Sequence, residues 1–220
     1  MATISIASDK GGVSKTTIAI LLGSELALDG YRVALMDADL NQQAAAFGDK
    51  ASIAGLSVIG DVREDNILAV LRKAEAENEI VLVDLPGGSS TLALKSLHRS
   101  HFVLVPCQAS LPDVKAAVKT VAQINDAQEL ARSEIARAII WTRVLPGFES
   151  RAARHVRESM EAEQTVPILR TAIMERAAYR EIHLTGRVPR ENDPNSSAAQ
   201  NVAAFAAELL SHIARLREAA

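Results

Sequence analysis

Residues 10–17 read Lys-Gly-Gly-Val-Ser-Lys-Thr-Thr. An alternating apolar run, Thr3-Ile4-Ser5-Ile6-Ala7-Ser8, leads into them. A helical pattern of Ile18, Leu21, Leu22 and Leu26 leads out and stops at Gly30. Strand, glycine loop, Lys-Thr and helix, in that order, make a phosphate-binding loop. Backbone N–H groups at a helix start cradle the phosphate charges, and Gly11 and Gly12 keep Cβ atoms out of the way. Val13, Ser14 and Thr17 complete the loop and the first helical turn. Lys15 is the cation for the β- and γ-phosphates of a nucleotide, and the Thr16 hydroxyl is a ligand for Mg²⁺.

Two more segments end apolar strands on carboxylates. Residues 32–39 are Arg-Val-Ala-Leu-Met-Asp-Ala-Asp, and residues 80–88 are Ile-Val-Leu-Val-Asp-Leu-Pro-Gly-Gly. An aspartate at a strand end is often only a turn former or a helix cap. Three such motifs at strand carboxyl ends, however, match where open α/β sheets bind ligands.

The loop departs from the general phosphate-loop pattern. Asp9 and Ser14 stand where glycines six residues and one residue before the lysine are usual, and a second lysine, Lys10, opens the loop. Lys-Gly-Gly-x-x-Lys-Thr resembles the deviant Walker A of the ParA/MinD superfamily of ATPases. The resemblance implies that Lys10 crosses a dimer interface to the partner's nucleotide while Lys15 acts in cis. It implies that Asp39 positions the attacking water, with Asp37 supporting the Mg²⁺ shell. Residues 80–88 resemble Walker B, which makes Asp84 a magnesium residue and puts Gly87 near the γ-phosphate. In such ATPases the loop after the strand ending Ile140-Trp141-Thr142-Arg143 approaches the adenine, so Thr142 and Arg143 are candidate contacts.

Composition narrows the class. A chain of 220 residues fits one α/β domain, and 48% apolar residues can build a sizeable core. Aromatics are only 3%, so that core must be aliphatic, and base stacking is a poor route to nucleic-acid binding. One cysteine, Cys107, excludes an internal disulfide framework and argues against an iron–sulfur carrier. It reads as a packing residue. No signal peptide or membrane-length apolar run is present, which reads as cytoplasmic.

The net charge of −3 hides an asymmetry. Residues 131–190 hold 11 Arg, 7 Glu, no Lys and no Asp, a balance of +4 that leaves −7 for the rest. Arg151, Arg154 and Arg157, spaced by three, share a broad face of the helix that Ser150 caps. Such a face is either solvated and ion-paired or a surface for DNA phosphates. Arg176, Arg180, Arg187 and Arg190 form the alternative cluster.

Strands and helices alternate throughout. The expected fold is a mostly parallel, twisted sheet of about seven strands with helices on both faces, in one domain over 1–220. Strands are expected at 3–8, 32–37, 56–59, 80–84, 102–106, 138–142 and 166–169. Helices are expected at 15–29, 64–77, 91–98, 112–130, 150–163, 175–184 and 197–218, with a loop between Gly186 and Ser197. In the last helix, Val202, Phe205, Leu209, Ile213 and Leu216 form an apolar stripe. Its polar face carries only Arg215 and Arg217 as cations, beside Glu208 and Glu218, so packing on the sheet is expected rather than a membrane anchor.

The first strand starts within two residues of the chain start, which resembles a short ParA without an operator-reading domain. The runs Val103 to Asp113 and Leu169 to Tyr179 resemble ParF-type partition ATPases and their conjugation-associated relatives. This implies an ATP-bound homodimer that binds nonspecific DNA, and so the nucleoid, until a small centromere-binding or adaptor protein stimulates hydrolysis. The alternatives are positioning of another cargo (a carboxysome, a chemoreceptor cluster or a conjugation origin) and a MinD-like membrane-recruited regulator.

Overall fold

The computed structural model describes residues 1–219, with the side chains of 216–219 outside the description. Leu216, Arg217 and Glu218 of the last helix therefore lie outside the described side chains. The strands are β1 (Ala2–Ile6), β2 (Val33–Asp37), β3 (Leu56–Ile59), β4 (Ile80–Asp84), β5 (Phe102–Cys107), β6 (Ala136–Val144) and β7 (Ile173–Met174). The helices are α1 (Lys15–Leu28), α2 (Gln43–Gly48), α3 (Ile67–Glu77), α4 (Thr91–Leu97), α5 (Leu111–Ala131), α6 (Arg151–Glu163), α7 (Ala177–Thr185), α8 (Pro189–Asn192) and α9 (Ser197–Ala219).

All seven strands are parallel, in the order β3-β2-β4-β1-β5-β6-β7. Side chains alternate between the two faces, as the period of two requires. On β4, Ile80 and Leu82 face one core with α1, α7 and α9, while Val81 and Val83 face the other with α3, α4 and α5. On β5, Phe102 and Leu104 divide from Val103 and Val105 in the same way. Residues buried on both faces explain the near-continuous apolar strands. Each fully buried Leu or Ile contributes about 1.5–3 kcal/mol.

The central helix α1 is buried almost all round, because α9 covers the side that the sheet leaves open. Gly30, at φ +94°, ends its C-terminal turn in a conformation costly for other residues. Val202, Phe205, Leu209 and Ile213 of α9 are buried, so the apolar stripe packs inward as expected. No helix among the described residues is long and apolar enough to cross a membrane.

Two expectations fail locally. The seventh strand forms at Ile173–Met174 instead of 166–169. The earlier stretch does touch β6, through a bond from Ile139 N to Pro167 O (2.8 Å) and one from Leu169 N to Ile139 O (2.9 Å). It yields only an isolated bridge at Ile168, because Pro167 has no N–H to extend a ladder. The loop between Gly186 and Ser197 contains α8, whose Pro189 starts a helix without losing a needed donor. The short helix α2 was not expected.

Candidate functional site

The carboxyl ends of β1, β2 and β4 lie level with one another. Asp84 pairs in register with Ile6 on one side and with Asp37 on the other. The phosphate loop, both carboxylate motifs and the start of α1 therefore meet above the middle of the sheet.

Gly12 adopts φ +78° and Ser14 φ +74°. The latter is the residue where glycine is usual. A left-handed conformation costs a non-glycine residue about 1–2 kcal/mol, and the Ser14 hydroxyl recovers one contact by accepting from Arg143 Nε at 3.2 Å. Ser14 caps α1 with no side-chain bond, so the helix start keeps its N–H groups for another acceptor. A Cβ on Gly11 or Gly12 would meet nothing within 4 Å, which leaves room for an anion above the loop. A Cβ on Gly87 would come within 3.2 Å of Gly11 N, so Gly87 packs closely on the loop backbone.

Lys15 is 7% exposed, and among the described residues its Nζ donates only to Lys10 O, at 3.4 Å. Burial lowers its pKa, against the pull of Asp84 and Asp39. Asp84 is fully buried, and among the described residues neither carboxylate oxygen has a hydrogen-bond partner. Burial raises its pKa to about 7, the neighbouring Thr16 hydroxyl opposing and Asp37 adding to the rise. With a raised folded pKa, this group's contribution to stability falls as pH rises from the ordinary carboxylate range to about 7 and levels off above it. An unpartnered buried carboxylate beside Lys15 and Thr16 suits a cation. Among the described residues no group of three His, Cys, Asp or Glu side chains could hold a metal unaided. Mg²⁺ typically takes one or two protein ligands and completes its shell with phosphates and water, a set that Thr16 and Asp84 could begin.

Asp37 is tied to the backbone of the turn that follows it. Its Oδ1 accepts from Asp39 N at 3.1 Å, and its Oδ2 accepts from Ala45 N at 2.9 Å. Burial raises its pKa while these N–H groups hold it down. These two bonds shape the turn that carries Asp39, and each oxygen keeps a lone pair for a further donor or a metal-bound water. The Oδ1 of Asp39 accepts from Asn41 N and Nδ2, both at 2.9 Å.

Lys10 leaves the loop in the other direction. Its Nζ donates to both oxygens of Asp113 at 3.0 Å. The backbone beside it is also tied to α5: Asp9 N donates to Thr120 Oγ1 at 2.9 Å, and Lys119 Nζ lies 2.9 Å from Asp9. Sequence reading missed Asp113, Lys119 and Thr120. Ser110 and Asp113 carry only the signal of a helix start, since Ser110 Oγ caps Asp113 N. Cys107 is buried and its thiol is pushed up to about 12, chiefly by burial, which leaves it a packing residue.

Thr142 and Arg143 do reach the loop. Thr142 Oγ1 donates to Val13 O at 3.3 Å and is buried. Beyond Arg143 lies a cavity of about 160 Å³ lined by Ser14, Thr17, Met174, Glu175 and Arg176.

The arginines stand less free than their spacing implies. Ser150 caps α6 through Ala153 N, at 3.1 Å. Arg154 and Arg157 share Glu149, at 3.4 and 3.2 Å. Arg151 has no ion-pair partner among the described residues. In the alternative cluster, Arg190 binds Glu25 and Asp29 at 2.8 and 2.6 Å, pinning α8 to α1. Arg176 donates to Ser197 and Arg187 to Glu191 O, while Arg180 lies 3.8 Å from Glu175.

A parallel sheet with a two-lysine phosphate loop on β1 and carboxylates on β2 and β4 defines a deviant Walker A ATPase fold of the ParA/MinD kind. Comparison with known proteins narrows this: the profile of the family described as VirC1 protein matches residues 1–216, and the chain belongs to that family. Protein ParA of Rhizobium radiobacter is 28% identical over 211 residues, covering 94% of this chain and 95% of that protein. Maintenance of carboxysome distribution protein A of Halothiobacillus neapolitanus is 27% identical, covering 84% of each chain. The structure of apo McdA from Cyanothece superposes with a TM-score of 0.79 at 18% identity, covering 96% of this chain and 99% of that one.

Proposed function

We propose that this chain is a switch ATPase of the partition and positioning kind. Two ATP-loaded copies would face each other, bind DNA without sequence preference, and part when a small adaptor or centromere-binding protein stimulates hydrolysis. The observation that carries this reading is the division between the two lysines. Lys15 is buried under its own loop beside Asp84, whereas Lys10 points out of the loop and its side chain is 43% exposed. A monomeric phosphotransferase has no use for the second cation. Burying two sets of phosphates between copies does need it.

In this reading Thr16 and Asp84 hold Mg²⁺, which supplies charge neutralisation at the phosphates. Lys15 and the N–H groups of the loop bind the nucleotide. Its base lies toward Arg143 and the cavity beyond it, with Thr142 bracing the loop from below. Similarity to Protein ParA supports plasmid partition. The comparable similarity to a carboxysome distribution protein supports the second reading, a non-plasmid cargo for the same switch. The inward packing of α9 speaks against the membrane-recruited alternative.

Lys10→Ala tests the switch. It is expected to bind ATP with wild-type affinity, measured by calorimetry, and yet to remain monomeric by light scattering with ATP and Mg²⁺. Normal dimerisation in this variant would end the proposal.

The DNA surface has its own test. Arg151 and Arg154 lead here, because both are exposed, whereas Arg157 is half-buried and paired with two carboxylates, Glu149 and Glu161. Replacing both by Glu is expected to weaken duplex binding at least tenfold and to flatten the salt slope by about one per lost phosphate contact. ATP affinity, measured in the same protein, should not move. An unchanged salt slope moves the site to Arg180 and Arg187.

A further inference from the structure

We propose that Asp113 is a positioning residue that clasps Lys10 within its own chain and so sets how readily two copies associate. This rests on the trans role of Lys10 given above. An ammonium has three N–H donors, and two of those on Lys10 go to the two oxygens of Asp113, each at 3.0 Å. A lysine so held cannot also reach across to another copy. The side chain therefore has two exclusive arrangements, clasped in cis or extended in trans.

Burial makes the clasp matter. Asp113 is 4% exposed while the Lys10 side chain is 43% exposed. Its remaining polar contact is the Ser110 hydroxyl, which bonds to Oδ2. Releasing Lys10 leaves a buried carboxylate without a cation, which opposes release. The backbone around Lys10 is anchored separately from its side chain. Lys10 N donates to Ser8 Oγ at 3.2 Å, and Asp9 is anchored to Thr120 and Lys119. Only the lysine side chain needs to swing, so Asp113 acts on association with little leverage on the nucleotide cradle.

Asp113 also stands in the first turn of α5, where a carboxylate favours the helix. That contribution is present in monomer and dimer alike, and it cancels from the association constant. The clasp does not cancel, because only the monomer has it.

The test is Asp113→Asn, which removes the charge and keeps the size. Sedimentation with ATP and Mg²⁺ is expected to show dimers at about tenfold lower protein concentration than wild type. Urea midpoints without nucleotide separate a folding defect from an association effect, and Asp113→Ser replaces Asn if the latter folds poorly. Equal or weaker dimerisation of the folded Asp113 variant overturns the clasp and leaves the trans role of Lys10 standing. Normal dimerisation of Lys10→Ala alone overturns the trans role itself.

Discussion

Lys15→Ala is expected to lose ATP binding by at least about 100-fold, the equivalent of roughly 3 kcal/mol for a charge-assisted contact to phosphate. The reason lies in the surroundings of the ammonium. Its only protein acceptor among the described residues is Lys10 O at 3.4 Å, a long bond that an anion can replace. Burial has already stripped the group of water and lowered its pKa, so its charge is held ready at a desolvation cost. Asp84 and Asp39 are the carboxylates that favour its charged form. Removing the lysine therefore does two things. The phosphates lose their cation, and Asp84, already raised to about 7, rises further and becomes protonated at neutral pH. A protonated Asp84 also suits Mg²⁺ less well. Calorimetry with ATP and Mg²⁺ measures the affinity, and thermal melting shows whether the variant is folded. Near-wild-type affinity in a folded variant would sink the assignment of the loop.

Much of this site could be read from the chain because its parts are local. The loop from Lys10 to Thr17 is contiguous, and Asp39 and Asp84 each follow a recognisable apolar strand. Parallel strands buried on both faces announce themselves as apolar runs, and so six of the seven strands sit close to where the pattern put them. The seventh did not, because the choice between 166–169 and 173–174 depends on which stretch can extend a ladder along β6. Pro167 decides that, and its effect is visible only against a neighbouring strand. The same limit hid Asp113. Its spacing from Ser110 announces a helix start, but nothing in the chain says that α5 delivers it to Lys10. Spacing likewise put Arg151, Arg154 and Arg157 on one face without showing that Glu149, in the preceding loop, would take up two of them. Asp37 shows the converse case. An aspartate at a strand end was legible as polar chemistry, but only the fold reveals that Ala45 N and Asp39 N donate to its oxygens.

That distinction between Asp37 and Asp39 leads to the second large effect. Asp39→Ala is expected to keep ATP binding and dimerisation while cutting turnover by about 100-fold or more, the scale of a lost base or water-positioning group. Asp39 sits on the turn fixed by Asp37, partly exposed at the carboxyl end of β2. Asn41 fixes one of its oxygens with two donors at 2.9 Å. Its Oδ2 has no partner among the described residues, so the carboxylate is oriented on one side and open to a water on the other. Asp84 is the rival, since its pKa near 7 would suit a base. It is fully buried beside Lys15 and Thr16, however, where a metal and not a mobile water is the natural neighbour. If hydrolysis is what separates the copies, a variant that cannot hydrolyse must stay associated. Light scattering with ATP should then show a dimer that persists over hours, with phosphate release near background. Restoring turnover by Asp39→Glu, even in part, would support a carboxylate acting on water over a purely structural role in the turn. An Asp39→Ala protein that hydrolyses at the wild-type rate would transfer the role to Asp84, and the dimer would then dissolve on the wild-type schedule.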